Sequence, residues 1–247
     1  MNKFIIKQGK QSCTTLETMN NCSYVMKQNT SSKGDELKDF YILYELWNCR
    51  STRFIGPMPV AMVGKTDLSV VTFVKYHGLN LKDYLASVEL TDTDRLELLL
   101  SFITNIYVLN QVQLENRDLK LDNIVVEDLK DKFIFFIVYE NTMNHKNYIF
   151  KLEVNRCILI DFSLTDSIAQ SGTFRCHNQI SEIVKNIAKN IVLKSKQKSK
   201  VPEFKFTKDI IDLIENGVFD SLKCNSMDLQ KVINEMPCIV VRYGSNN

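Results

Sequence analysis

The sequence predicts an α+β protein, with a small antiparallel sheet first and a mainly helical remainder after it. Short apolar runs separated by polar turns fill most of residues 1–75. The stretches 37–50 and 95–113 instead repeat their apolar residues near the helical period. The chain has 247 residues, 45% hydrophobic and 24% charged, which is ordinary globular usage and excludes wholesale disorder. A formal net charge of +2 gives no global case for nucleic acid, and none is expected as a partner. The 7 cysteines are odd in number and lack CxxC pairs. They point to reduced thiols in a cytoplasmic or nuclear setting, against a disulfide framework or a zinc site. No apolar run approaches the ~18 residues of a membrane span, and Met1-Asn2-Lys3 runs into a strand-like segment with no signal-peptide pattern.

Phe4–Lys7, Cys13–Met19 and Cys22–Met26 read as three antiparallel strands, the last continuing into Lys27. Residues 30–36 form a polar loop with N-cap residues, and Leu37, Phe40, Tyr41, Tyr44 and Trp47 mark one face of a helix. Gly56-Pro57-Met58-Pro59 breaks the chain before two more strands, Val60–Val63 and Leu68–Val74. Thr91-Asp92-Thr93-Asp94 offers caps for a helix over 95–113, with its stripe on Leu96, Leu99, Leu100, Ile103, Ile106 and Tyr107. That helix delivers Asn116-Arg117-Asp118-Leu119-Lys120-Leu121-Asp122-Asn123, a charged loop ahead of the apolar Ile124-Val125-Val126. Asp, Lys and Asn are ordinary loop residues, so the stretch alone decides nothing. Phe133–Val138 and Tyr148–Val154 predict an inserted hairpin, and Cys157–Ile160 is a strand ending in Asp161-Phe162-Ser163. Beyond it come a helix over 179–193, a solvated basic run at 194–200, helices over 207–223 and 226–236, and Ile239–Tyr243 as a strand or buried tail.

Asp118, Lys120 and Asn123, at offsets 0, +2 and +5, resemble the catalytic loop of eukaryotic-type protein kinases, H-R-D-x-K-x-x-N, with Asn116 in place of the histidine. Tyr24-Val25-Met26-Lys27 is similar to the V-A-I-K strand, and Asp161-Phe162-Ser163 to D-F-G. The 43 positions between Asp118 and Asp161 exceed the usual spacing. Together with the inserted hairpin they look most like the haspin group, which carries D-Y-T there. The resemblance covers residues 4–165; it is loose at the Gly-rich loop, and no A-P-E follows Asp161.

The resemblance implies a bilobal kinase-like fold, with residues 1–76 as the small antiparallel-sheet lobe and 77–247 as a helical lobe with a reduced C-terminal part. It implies ATP and Mg2+ as cofactors. Gly9, with Ser12 the nearest small residue, would be what remains of the Gly-rich loop. Lys27, held by Glu45 on the helix 18 residues on, would reach the phosphates. Val74 would be the gatekeeper, and backbone groups of Lys75 and His77 would bond the adenine edge. Asn123 and Asp161 would hold magnesium, Asp118 would orient the incoming hydroxyl, and Lys120 would offset charge on the γ-phosphoryl. Lys at that position implies a serine/threonine protein kinase, with a protein substrate that on the haspin likeness has a basic tail. The compact length suits a viral, effector or parasite kinase acting in a host cell. The alternative is a pseudokinase that binds nucleotide or partners without transfer, for which the missing glycines and Asn116 speak.

Overall fold

The computed structural model describes residues 3–8, 12–19, 22–29, 35–65, 69–75, 78–130, 133–168, 176–189 and 208–244. It is an α+β structure. β1 (Lys3–Gln8), β2 (Ser12–Met19), β3 (Cys22–Asn29), β4 (Pro59–Lys65) and β5 (Ser69–Lys75) form one antiparallel sheet in the order β1-β2-β3-β5-β4. Its strands are rich in Val, Thr, Ile and aromatic residues, which suit a pleated surface. The register pairs Tyr24 with Lys75 and Lys27 with Thr72.

Helix α1 (Asp35–Asn48) crosses from β3 to β4 and lies near β3, β4 and β5. One turn of an α-helix takes 3.6 residues, so Asp39, Leu43 and Leu46 share a face. All three are buried, while Tyr41, Tyr44 and Glu45 are exposed.

After β5 the chain reaches Gly78, whose φ of +149° suits glycine; a Cβ there would lie 2.7 Å from the Val126 carbonyl oxygen. The adjoining residues are fixed by Val126 N donating to Leu79 O at 2.8 Å and by the bridge of Asn80 with Val125. Asn80 caps the short α2 (Leu81–Ser87) by accepting from Asp83 N. Helix α3 (Asp92–Gln111) begins with a capping box between Thr91 and Asp94. It is buried without interruption from Glu97 to Leu109, as expected of a helix surrounded by other elements.

From α3 the chain forms β6 (Leu114–Asn116), a single 3-10 turn (Leu121–Asn123) and β7 (Ile124–Asp128). The expected hairpin is present as β8 (Phe135–Asn141) and β9 (Asn147–Leu152). β10 (Asn155–Leu159) pairs antiparallel with β7, Leu159 opposite Ile124. β11 (Thr165–Ser167) pairs antiparallel with β6, Asp166 opposite Glu115.

α4 (His177–Ile187), α5 (Lys208–Glu215), a 3-10 turn (Asp220–Leu222) and α6 (Leu229–Glu235) follow. The two helices expected over 207–223 and 226–236 are therefore shorter than their apolar patterns. The chain then forms β12 (Cys238–Tyr243), the strand of the two alternatives, parallel to β8 on the edge opposite β9. Phe136, Val138, Ile149, Val232 and Cys238 make a small second core there, beside the main one around α3. Among the described residues, no helix is long and apolar enough to cross a membrane.

Candidate functional site

Two strand registers bring the charged residues together. Pairing of β7 with β10 sets the residues before Ile124 beside those after Leu159, and Ile160 N donates to Asn123 O at 3.0 Å. Pairing of β6 with β11 returns the chain after Asp161 to the stretch at Asn116. Asp118, Lys120 and Asn123 thus share one end of two small sheets with Asp161, which lies 43 positions beyond Asp118.

Asn116 is the joint between them. It is buried, its Nδ2 donates to the Asp161 carbonyl at 3.0 Å, and its Oδ1 accepts from Asp118 N at 2.9 Å. The sequence marks Asn116 as a departure from the resembled pattern; the geometry makes it a bridge that sets the backbone at both aspartates. Asp161 has a φ of +63°, a region costly for a residue with a Cβ, so the surrounding bonds must hold it there. Ser163 Oγ, 2.8 Å from Asp161 Oδ1, orients its carboxylate.

Asp118 Oδ2 accepts from Lys120 Nζ at 2.5 Å and from Asn123 Nδ2 at 2.8 Å. The same Asn123 nitrogen also donates to the Asp118 carbonyl at 2.9 Å. With that nitrogen committed, the amide oxygen of Asn123 is the atom left for a ligand. Amide and carboxylate oxygens from Asn123 and Asp161 are hard donors, and a pair of them suits a magnesium ion shared with phosphate and water.

Lys27 closes the cluster from the first sheet. Its Nζ is 2.8 Å from Asp39 Oδ2 and 3.5 Å from Asp161 Oδ1. Burial alone would lower the Lys27 pKa; the two carboxylates reverse this and raise it well above the usual lysine range, so the ammonium is charged at every physiological pH. Burial, the largest single influence, would raise the Asp161 carboxyl, but the Lys27 ammonium, the Ser163 hydroxyl and the Lys120 charge together outweigh it and the carboxyl lies below its usual range. Asp39 has a second task, since its Oδ1 accepts from Phe162 N at 2.7 Å. Phe162 itself is fully buried.

The expected partner of Lys27 was Glu45, and the structure corrects this. Glu45 is exposed, whereas the Asp39 side chain is 4% accessible and meets the lysine directly. The reason is helical phase. Six residues from Asp39 is about 120° out of register with it at 100° per residue, so Glu45 faces away from the stripe of Leu43 and Leu46. The signal that would have found Asp39 is its place four residues before Leu43 and seven before Leu46.

Gly9 and His77 lie outside the described residues. Ser12 opens β2 and Lys75 closes β5, where only the backbone is described. The sequence matches no protein-family model and no curated protein.

Proposed function

We propose that this chain is an ATP-dependent protein kinase of bilobal, kinase-like fold that moves the γ-phosphoryl group of Mg-ATP to serine or threonine hydroxyls of a protein. The observation that carries the reading is the single network Asp39–Lys27–Asp161–Asn116–Asp118, which links a fixed ammonium to the carboxylate of Asp161 and the backbone of Asp118.

Lys27, anchored by Asp39, offers its ammonium to phosphate oxygens. Asn123 and Asp161 would hold magnesium, which on binding neutralises charge on the phosphates. Asp118 has Oδ2 engaged by Lys120 and Asn123, so Oδ1 is the oxygen for the incoming hydroxyl and takes up its proton. Lys120 can turn from Asp118 to the transferring group, because its ammonium lies on a flexible and exposed stem. Catalysis of this kind is positioning and charge stabilisation more than covalent chemistry. A protein substrate with a basic tail remains the substrate class that the haspin likeness implies.

A pseudokinase scaffold is the second reading. It is favoured by the one glycine, Gly9, between β1 and β2, and by Lys120 engaging the base. The two readings part in one experiment. The chain is incubated with labelled ATP, magnesium and generic basic and acidic proteins, alongside Asp118→Asn. The expected outcome is transfer by the parent and a loss of ~10²-fold or more in Asp118→Asn, with stabilisation by Mg-ATP in a thermal melt kept in both. Label transfer at equal rates in the two proteins would remove Asp118 from the chemistry. Stabilisation by Mg-ATP with no transfer to any substrate would favour the scaffold.

A further inference from the structure

Asp166 joins two parts of the site that share no covalent neighbour. It lies on β11, and its Oδ2 is 2.8 Å from Arg117 Nη1. Its Oδ1 is 3.1 Å from Lys38 Nζ, on α1 beside the Asp39 that anchors Lys27. One carboxylate therefore spends its two oxygens on two cations, one from the helix and one from the stretch 116–123. The Lys38 hydrogen bond, with the charges of Lys38 and Arg117, holds the Asp166 carboxyl below its usual range, so it is ionised when the cations are present. Backbone bonds fix the same segment: Arg117 N to Leu164 O at 3.3 Å, Thr165 N to Phe162 O at 3.0 Å and Ile168 N to Gln113 O at 2.9 Å.

We infer that Asp166 is a built-in positioning residue, a permanent anion that clamps α1 to the stretch 116–123 and makes the site independent of phosphorylation. In phosphorylation-switched kinases, a segment near the site is ordered by new pairs between arginine and an added phosphate. Here Arg117 already has its carboxylate, supplied by the chain and two residues beyond Leu164. The regulatory half of the inference rests on the proposed phosphoryl transfer; the mechanical half does not.

The test uses the full chain as parent, Asp166→Asn and Asp166→Glu, followed by amide hydrogen exchange and by turnover. In Asp166→Asn, peptides covering α1 and Phe162 are expected to exchange about fivefold faster, the scale of losing two partly exposed ion pairs. Asp166→Glu restores protection. Raising salt from roughly 0.05 to 0.5 M speeds this exchange more in the parent than in Asp166→Asn, because the exposed charges of the clamp are screened most. Turnover falls by a similar factor in Asp166→Asn, and phosphatase treatment of the parent changes nothing. Equal exchange in parent and Asp166→Asn overturns the clamp. Loss of turnover on phosphatase treatment overturns the phosphorylation independence. If no preparation transfers phosphate yet exchange responds as expected, the kinase reading fails and the clamp stands.

Discussion

A lysine ammonium beside a carboxylate that is 4% exposed gives up hydration that its partners must replace. Asp39 does this for Lys27 and takes the Phe162 N–H with its other oxygen, so one short side chain fixes both the cation and the backbone after Asp161. Removing it leaves the ammonium with Asp161 alone, at 3.5 Å, and the buried Phe162 N–H without its acceptor. Asp39→Ala is expected to lose about 3 kcal/mol in urea denaturation. Glu45→Ala, at an exposed helical position, is expected to stay within ~0.5 kcal/mol of the parent. The reverse ranking would restore Glu45 as the partner of Lys27. At this scale Asp118, Asn123 and Asp161 were legible through their resemblance to the kinase catalytic loop and D-F-G, and the strand pairings set them side by side. The partner of Lys27 was not, because separation along a chain says nothing of which way a helix turns. Asp166 and the bridging role of Asn116 were also illegible, since both depend on which strand lies opposite which.

Among the elements, α3 is buried without interruption from Glu97 to Leu109. Its stripe of leucines and isoleucines was readable, and so was its N-terminal cap. What the pattern did not disclose is that the polar Glu97 is buried on the same helix. Its carboxylate accepts from the N–H groups of Glu153, Val154 and Asn155 at 2.9, 2.9 and 2.8 Å, closing the turn between β9 and β10. Burial pushes the Glu97 carboxyl up, against the pull of those three donors. An acid among leucines reads as a charged edge until the turn it closes is known. Since β10 ends at the residues leading to Asp161, Glu97 supports the site from a distance. Glu97→Ala strands three backbone donors and is expected to lose about 2–4 kcal/mol of stability in a denaturant titration, while Glu97→Gln, which keeps one acceptor oxygen, should lose less. Equal midpoints for Glu97→Ala and parent would mean that water replaces the carboxylate without penalty.

For the molecule as a whole, the α+β class, the antiparallel sheet of residues 3–75 and the inserted hairpin were legible from periodicity and turn residues. The partner of the last strand was not, because parallel pairing has no local signal and needs a long connection. β12 pairs parallel with β8, Cys238 opposite Phe136, and those two residues are 102 positions apart. This pairing has a consequence for how the chain comes into being. During synthesis β8 and β9 leave the ribosome long before β12, so the apolar edge Phe135-Phe136-Ile137-Val138-Tyr139 waits uncovered. An unpaired apolar edge is a template for other chains. A chain ended after Pro237 should therefore pellet from lysates as aggregate, whereas the full chain with Val240→Lys, at a half-buried position of the same strand, keeps the backbone pairing and should remain largely in the supernatant. The nascent hairpin thus stays exposed until its last neighbour arrives, and long-range pairing of this kind is slow to form.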